Sequence, residues 1–369
     1  MTFDLGFLGG GQLARMSIQA AQRMGLRCLS LDPAADSPAS QIAEAVVGAL
    51  EDRQAVANVL SRCSRVTLEN EFIPAEAIRE ACNLAGVSES RLMPGIDTLA
   101  TIQDKLRQRE ALAAAGVPSP RAGALEGNGE RAIAEIGFPM VLKARFGGYD
   151  GKGTRYARTP EELEEHRDLW AAGGWLAEEF VPFKRELGTL VFASEWGEGC
   201  FPTMESVQTN HVCDLVFPSG TDASSVALAA VRAVGGRGLF GVELFERDDG
   251  AVLVNELAPR PHNTGHYTLD WGGVSQFEQH VRLAMGWPLG RAEGNAVCMA
   301  NLLGQAHAQN LCAATEAALG VEGVFVHWYG KTAARPGRKM GHLNAVGGEG
   351  LVERAVEARR RFYEAWTKR

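Results

Sequence analysis

The chain has 369 residues, 46% of them hydrophobic, and a formal net charge of −8 at pH 7. That length exceeds one simple core and points to two or three domains. The acidic balance, without a long basic run, argues against a nucleic-acid binder, and no apolar run is long enough to cross a bilayer. The first residues, MTFDLGFLGGG, lack the basic segment and apolar stretch of a signal peptide. Seven cysteines, without a CxxC pair, are expected to be reduced and mostly packed, as in a cytoplasmic protein.

Residues 1–95 read as a βαβ-type unit. Phe3–Leu8 is a short apolar strand, Gly9-Gly10-Gly11-Gln12 a tight turn, Leu13–Met24 a helix and Leu26–Leu31 a second strand closing at Asp32. A helix around Asp52–Leu60, a strand Arg65–Leu68 and a helix opening at Pro74 follow. Such alternation implies a parallel sheet covered on both faces. Gly9-x-Gly11-x-x-Ala14 with Asp32 fits a dinucleotide fingerprint. A glycine turn also occurs wherever a strand bends sharply into a helix, and the helix N-terminus beside Gln12 equally suits a single phosphate. Glu69 and Glu71 follow a strand end, where they serve either as ligand contacts or as plain loop residues.

Thr101–Ala115 is strongly helical and ends at Gly116-Val117-Pro118. Its Lys105, Arg107 and Arg109 suggest a solvated basic face. Phe138–Arg145 is an apolar strand carrying Lys143, which costs free energy unless an anion or acid meets it. Gly147 to Thr154 holds four glycines in eight residues, a loop whose N–H groups can wrap a phosphate. It is not a P-loop, because Lys152 is followed by Gly153 rather than Ser or Thr. A helix, Pro160–Trp170, and a strand, Trp175–Val181, complete this part, with Glu186 where the next strand starts.

Beyond it lie strands near 187–194 and 213–217 and a helix Ser224–Val234. Phe240–Arg260 reads as a β-hairpin turning at Asp249-Gly250. A two-residue loop there puts Glu243 directly opposite Glu256. Facing β-carbons lie about 4.5–5.5 Å apart, and like charges so placed repel. The pair is solvated, or one carboxylate has a raised pKa, or a cation separates them. Oxygen-only ligands favour Mg²⁺, which binds through one or two carboxylates plus substrate phosphates. His262 and His266 have a zinc-like spacing, but Pro261, Asn263 and Gly265 argue against a helix there. Val274–Met285 reads as a helix and Phe325–Tyr329 as a strand. Lys331, Arg335, Arg338 and Lys339 surround a Pro-Gly turn, either solvated or clamping an anion.

A strand lysine, a glycine loop, paired acids and a two-carboxylate hairpin are the parts needed to hold ATP with Mg²⁺. Lys143 and the loop can bind phosphates, Glu178–Val181 can face an adenine edge, and Glu186 can bond a ribose. Glu243 and Glu256 can hold the metal against the β- and γ-phosphates.

The succession GGGQLARM, TIQDKLRQRE, VLKARFGGYDGKGT, AEEFVPFKRELG, GVELFERDDGAVLVNELAPRPHNTGH and HWYGKTAARPGRKMGHLN closely resembles the N5-carboxyaminoimidazole ribonucleotide synthetases, ATP-grasp enzymes of purine biosynthesis. The resemblance spans nearly the whole chain. It implies an α/β (α+β overall) ATP-grasp fold with an N-terminal Rossmann-like domain at 1–100, a glycine-loop lid at 101–184 and a metal-hairpin domain at 185–369. The implied reaction joins bicarbonate to the amine of 5-aminoimidazole ribonucleotide through carboxyphosphate, with ATP going to ADP and phosphate. Lys105, Lys143, the loop Gly148, Tyr149, Asp150, Gly151, Lys152, Gly153 and Thr154, then Glu178, Glu179, Phe180, Val181 and Glu186 are the implied ATP contacts. Glu243 and Glu256 are the implied ligands of Mg²⁺, or of Mn²⁺ in its place, with Asn255 beside them. Gln12, Glu69, Tyr149, Asp150 and Asn263 would meet the nucleotide substrate, and Lys331 and Arg338 its phosphate. Arg260 would hold bicarbonate or carboxyphosphate, and Asp150 would position or deprotonate the amine. The family also implies a homodimer. Glu256-Leu257-Ala258 lacks the Glu-x-Asn of many ATP-grasp relatives, an alanine this branch shares. Gln208 stands where the pattern usually has a histidine near the ATP phosphates, with His211 shifted from it.

Overall fold

The structure is a computed structural model describing residues 2–127, 129–148, 153–306 and 309–367. The N-terminal part is a five-stranded parallel sheet in the order Glu44–Val47, Cys28–Asp32, Phe3–Leu8, Cys63–Leu68, Leu92–Met93. The strand order reverses between Phe3–Leu8 and Cys63–Leu68, which opens a crevice above their carboxyl ends. Glu44–Val47 and Leu92–Met93 were not foreseen. They are edge strands of four and two residues, too short for a periodicity signal.

One face of this sheet packs on helices Arg53–Arg62 and Ala75–Ala85. The other is covered by Gln12–Arg23 and by a helix from far along the chain, Gln276–Met285. That second helix buries seven of its ten residues, including Phe277, His280, Val281 and Ala284. It lies between the parallel sheet and strands Arg185–Ser194 and Gly238–Glu246, with the ion pair Glu278–Arg282 on its one half-exposed side.

Residues 185–346 form one antiparallel sheet of nine strands. Its order is Val252–Ala258, Gly238–Glu246, Arg185–Ser194, Met204–Thr209, Val212–Pro218, Val297–Leu303, Lys339–Val346, Val324–Trp328, with Gly197–Cys200 paired to Arg185–Ser194. Helix Leu351–Thr367, also unforeseen, packs Ala355, Ala358, Phe362 and Trp366 onto the far end. A smaller antiparallel sheet orders Ala122–Leu125, Trp175–Glu179, Met140–Ala144, Thr154–Ala157.

Several expectations need correction. The expected helix Thr101–Ala115 is two, Ile96–Gln103 and Lys105–Ala114. The buried Asp104 breaks it: its carboxylate accepts from the Leu106 N–H as an N-cap and pairs with Arg145. Pro160–Trp170 is likewise interrupted at His166. Asn263–Leu269, expected to be irregular, is a 3-10 helix, whose short tight turns tolerate this sequence.

The hairpin turn is longer than expected. Arg247 N–H bonds Ala251 C=O, so Asp248-Asp249-Gly250 is a three-residue loop with Gly250 at φ +81°. This shifts the register by one near the turn, pairing Glu246 with Val252. A β-bulge between Glu243 and Leu244 then shifts it back, leaving Asn255 as the extra residue and Glu243 opposite Glu256. The facing pair is therefore real, but two compensating irregularities produce it.

Candidate functional site

A cavity of about 760 Å³ lies where the three sheets meet. Every site residue that the resemblance implies, within the described parts, lines it, from Gln12 and Glu69 to Lys331 and Arg338, whereas Arg335 of the Pro-Gly turn does not. Tyr149, Asp150, Gly151 and Lys152 lie outside the described residues.

On the small sheet, Lys143 and Glu178 lie diagonally across neighbouring strands and share a face. The Lys143 ammonium sits 2.7 Å from Glu178 Oε2 and 3.3 Å from Asn255 Oδ1. Glu178 Oε1 accepts from Arg109 Nε at 2.8 Å. Burial works against the Glu178 carboxylate, but Arg109 and Lys143 outweigh it and bring its pKa down to about 2. Burial lowers the Lys143 pKa, because a charged ammonium loses water there. The Glu178 side chain is thus wholly taken by the protein. Further along, Glu179 pairs with Arg121 at 2.8 Å, Phe180 is half-exposed, and Val181 is buried. Phe183 and Phe245 stack with centroids 4.5 Å apart and add an apolar wall that the sequence reading missed.

Glu186 is half-buried on the same wall, its pKa raised to about 7 by burial and by Glu243, against a hydrogen bond from Gln208. Gln208 also donates to Ser206 Oγ at 2.9 Å. Asn210 and His211 both have positive φ and form the two-residue turn after it, which sets His211 on the cavity wall.

The two facing carboxylates each have a cationic or ionisable partner. Lys105 Nζ lies 2.6 Å from Glu256 Oε2, and His262 Nε2 lies 3.3 Å from Glu243 Oε1. Burial alone would push the Glu243 carboxyl up, but the His262 ring, then Lys105 and Lys339, hold it down. The His262 ring fits only because position 241 is glycine, since a β-carbon there would fall 2.5 Å from His262 Cβ. His266 points elsewhere, to Gln276 at 2.9 Å, so the two histidines do not converge. Among the described residues no group of three or more His, Cys, Asp or Glu could hold a metal by itself.

At the crevice of the parallel sheet, Asp32 bonds the N–H groups of Gly10 and Ala34, both at 2.9 Å, and closes its own turn. Glu69 Oε1 accepts from Leu13 N–H at 3.3 Å, over the start of helix Gln12–Arg23. A β-carbon on Gly11 would lie 2.3 Å from that oxygen. The place a pyrophosphate would take at this helix N-terminus is filled by a carboxylate of the chain itself, which removes the physical basis of the dinucleotide reading. Burial raises the Glu69 pKa to about 7, although Arg260, Asn70 and the Leu13 N–H oppose it. Glu71, left open between loop and ligand roles, holds the Arg260 guanidinium in a two-point ion pair, and Arg260 Nη1 bonds Pro261 C=O at 3.0 Å.

Lys331 Nζ bonds Lys339 C=O at 2.6 Å. Burial, then Arg338 and Lys339, lower its pKa to about 8 despite Glu69. Arg338 donates to Ala333 C=O at 3.0 Å. Asn263 exchanges amide hydrogen bonds with the buried Asn301 at 2.6 and 3.2 Å.

Arg109, expected on a solvated face, is 4% exposed. Its spacing of four from Lys105 on one helix was the available signal, since such residues share a face. Glu71 had no local signal, because its partner Arg260 lies 189 residues away.

Three family profiles match in succession: a ribonucleotide synthetase preATP-grasp domain over 2–103, an ATP-grasp domain over 110–277, and a phosphoribosylaminoimidazole carboxylase C-terminal domain over 297–353. The N5-carboxyaminoimidazole ribonucleotide synthase of Synechococcus elongatus is 38% identical across 96% of this chain and 92% of its own. The crystal structure of the N5-carboxyaminoimidazole ribonucleotide synthetase from Thermotoga maritima superimposes with a TM-score of 0.84 at 35% identity, covering 98% of both chains. That of the Aspergillus clavatus synthase in complex with ADP and 5-aminoimidazole ribonucleotide gives 0.86 at 30%, covering 99% of this chain and 98% of the other. The order of these matches, their reach along the chain and the mixed α/β architecture agree, and the chain belongs to the ATP-grasp family of N5-carboxyaminoimidazole ribonucleotide synthases.

Proposed function

We propose that this protein is an ATP-grasp ligase that joins bicarbonate to the amine of 5-aminoimidazole ribonucleotide in purine biosynthesis. The observation that carries the proposal is one cavity with two differently equipped ends. One end holds Lys143, Lys105 and the facing Glu243 and Glu256. The other holds Gln12, Glu69 and Asn263 with the cations Lys331 and Arg338. The first suits a triphosphate and the second a phosphorylated nucleoside.

In this reading Lys105, Lys143 and the loop Gly148–Thr154 bind the ATP phosphates, with Gln208 and Asn255 beside them. Glu178–Val181 and the Phe183–Phe245 wall receive adenine, and Glu186 bonds the ribose. The donor set at the hairpin suits Mg²⁺, with two carboxylates and the Asn255 amide oxygen, and substrate phosphates would complete its shell. Held there by Glu243 and Glu256, the ion would neutralise charge on the β- and γ-phosphates.

A bicarbonate oxygen attacks the γ-phosphorus, the bond to the β-bridging oxygen breaks, and ADP and carboxyphosphate result. Arg260 faces the developing charge, since its guanidinium keeps N–H donors beyond those given to Glu71 and Pro261. The substrate amine then attacks the carboxyl carbon, phosphate leaves, and the amine proton passes to Asp150. Lys331 and Arg338 hold the substrate phosphate, while Gln12, Glu69, Tyr149 and Asn263 orient its ring and ribose. We further propose domains at 1–100, 101–184 and 185–369, a homodimer and a cytoplasmic site of action. No helix among the described residues is long and apolar enough to cross a membrane.

The test is phosphate release from ATP with bicarbonate and 5-aminoimidazole ribonucleotide varied separately. Turnover should require both. Turnover supported instead by formate and glycinamide ribonucleotide would replace the proposal with a transformylase.

A further inference from the structure

We propose that Arg109 is a positioning residue of the nucleotide site: buried behind the cavity, it holds Glu178 and the hairpin bulge so that Lys143 meets the triphosphate as an uncancelled cation. The inference rests on the ATP reading of the cavity given above.

Arg109 directs each part of its guanidinium to a different partner. Nε donates to Glu178 Oε1 at 2.8 Å, Nη1 to Val254 C=O at 3.0 Å, and Nη2 to Asn255 C=O at 2.6 Å. The other Glu178 oxygen meets Lys143 at 2.7 Å. Arg109 and Glu178 are 5% and 3% exposed at their side chains, so water screens this cluster poorly.

Two consequences follow. The first is charge. Arginine, glutamate and lysine together carry one net positive charge; Lys143 and Glu178 both line the cavity, and Arg109 lies behind them. Without Arg109, Glu178 and Lys143 would cancel, and the phosphates would meet a neutral pair. The second is backbone geometry. A bulge leaves its extra residue outside the strand ladder, and buried carbonyls need donors. Arg109 donates to the carbonyls of Val254 and of Asn255, the extra residue itself. It thereby fixes the step that brings Glu256 opposite Glu243. One side chain ties the phosphate lysine to the hairpin carboxylates. A lysine could supply charge but not this three-way fork.

The test compares wild type, Arg109→Gln and the double variant Arg109→Gln/Glu178→Gln, by calorimetric titration with ATP and Mg²⁺ and by steady-state kinetics. Arg109→Gln should raise KM for ATP about tenfold or more, leaving KM for 5-aminoimidazole ribonucleotide within about twofold. The double variant removes the opposing carboxylate and restores one net positive charge on Lys143. It should recover ATP binding to within about threefold of wild type. A purely structural role predicts the opposite order, with the double variant no better than the single and both substrates affected alike; that result overturns the proposal. Should Arg109→Gln fail to fold, the double variant decides alone: ATP binding within about threefold of wild type supports the proposal, and a larger loss overturns it. Wild type that does not bind ATP would overturn the nucleotide reading itself, whereas wild type that binds ATP as well as Arg109→Gln does overturns only the role of Arg109.

Discussion

At the scale of single residues, most charges of the site have a partner within the protein. Glu256 leans on Lys105, Glu243 on His262, and Arg260 on Glu71. Phosphates and a cation would exchange these partners rather than meet bare charges. Replacing Glu256 with glutamine keeps its size and removes its charge. Glu256→Gln should lower phosphate release on the order of a hundredfold with the melting temperature close to wild type. Near-normal turnover at ordinary Mg²⁺ would remove Glu256 from the metal site. Lys331 offers a second check. Its pKa, lowered to about 8, leaves it charged at neutral pH and neutral above. In its proposed role the cation for the substrate phosphate is then lost as pH rises, so kcat/KM for the ribonucleotide should fall through a basic limb near pH 8. Lys331→Met should have lower kcat/KM at pH 7 and lack that limb. A limb unchanged in the variant would assign it to another group.

At the scale of elements, the hairpin shows how small irregularities aim side chains. Its Gly250 turn and its bulge each move the register by one residue, and only together do they face Glu243 with Glu256. Gly241, on the same strand, leaves the gap that His262 fills. Its backbone is ordinary, so an alanine meets a steric rather than a conformational obstacle. Gly241→Ala should cost about 1–3 kcal/mol of stability and lower turnover about tenfold or more by displacing His262 from Glu243. Unchanged melting and turnover would show that the ring does not need this gap. The split at Asp104 works in the same way. It starts a new helix at Lys105, and residues 105, 108 and 109 of that helix reach Glu256, Leu257 N–H and Glu178.

At the scale of the molecule, helix Gln276–Met285 is the wedge that joins the two halves of the cavity. Ile18 of the parallel-sheet part packs in one core with Val281 and Ala284 of that helix. A shared core makes the halves unfold together. All seven tryptophans lie beyond residue 169, so their fluorescence reports the antiparallel sheets and not the parallel one. Ile18→Ala should destabilise the chain by about 2–5 kcal/mol and shift the tryptophan unfolding transition by the same amount. A tryptophan transition that does not move would mean that the halves unfold independently.

The sequence by itself determined what repeats locally or is written in a contiguous motif. Strand Phe3–Leu8, the helix after Gly11 and the hairpin could be read because alternation, helical spacing and turn residues act over a few neighbours. The family motifs likewise named the residues that line one cavity. Only the tertiary structure decided which of those charges are already paired. Arg109 looked solvated because its partners, Glu178, Val254 and Asn255, are 69 or more residues away. Glu71 was left open between loop and ligand roles for the same reason, since its partner Arg260 is 189 residues away. Edge strands such as Leu92–Met93 were invisible because their order comes from the neighbour they bond to, not from their own two residues. The N-terminus of helix Gln12–Arg23 was misleading as sequence: its glycines fit a pyrophosphate, and the fold places Glu69 there instead. Periodicity reports which side of an element is apolar. Electrostatic pairing depends on which elements the fold brings together, and here that decides the site.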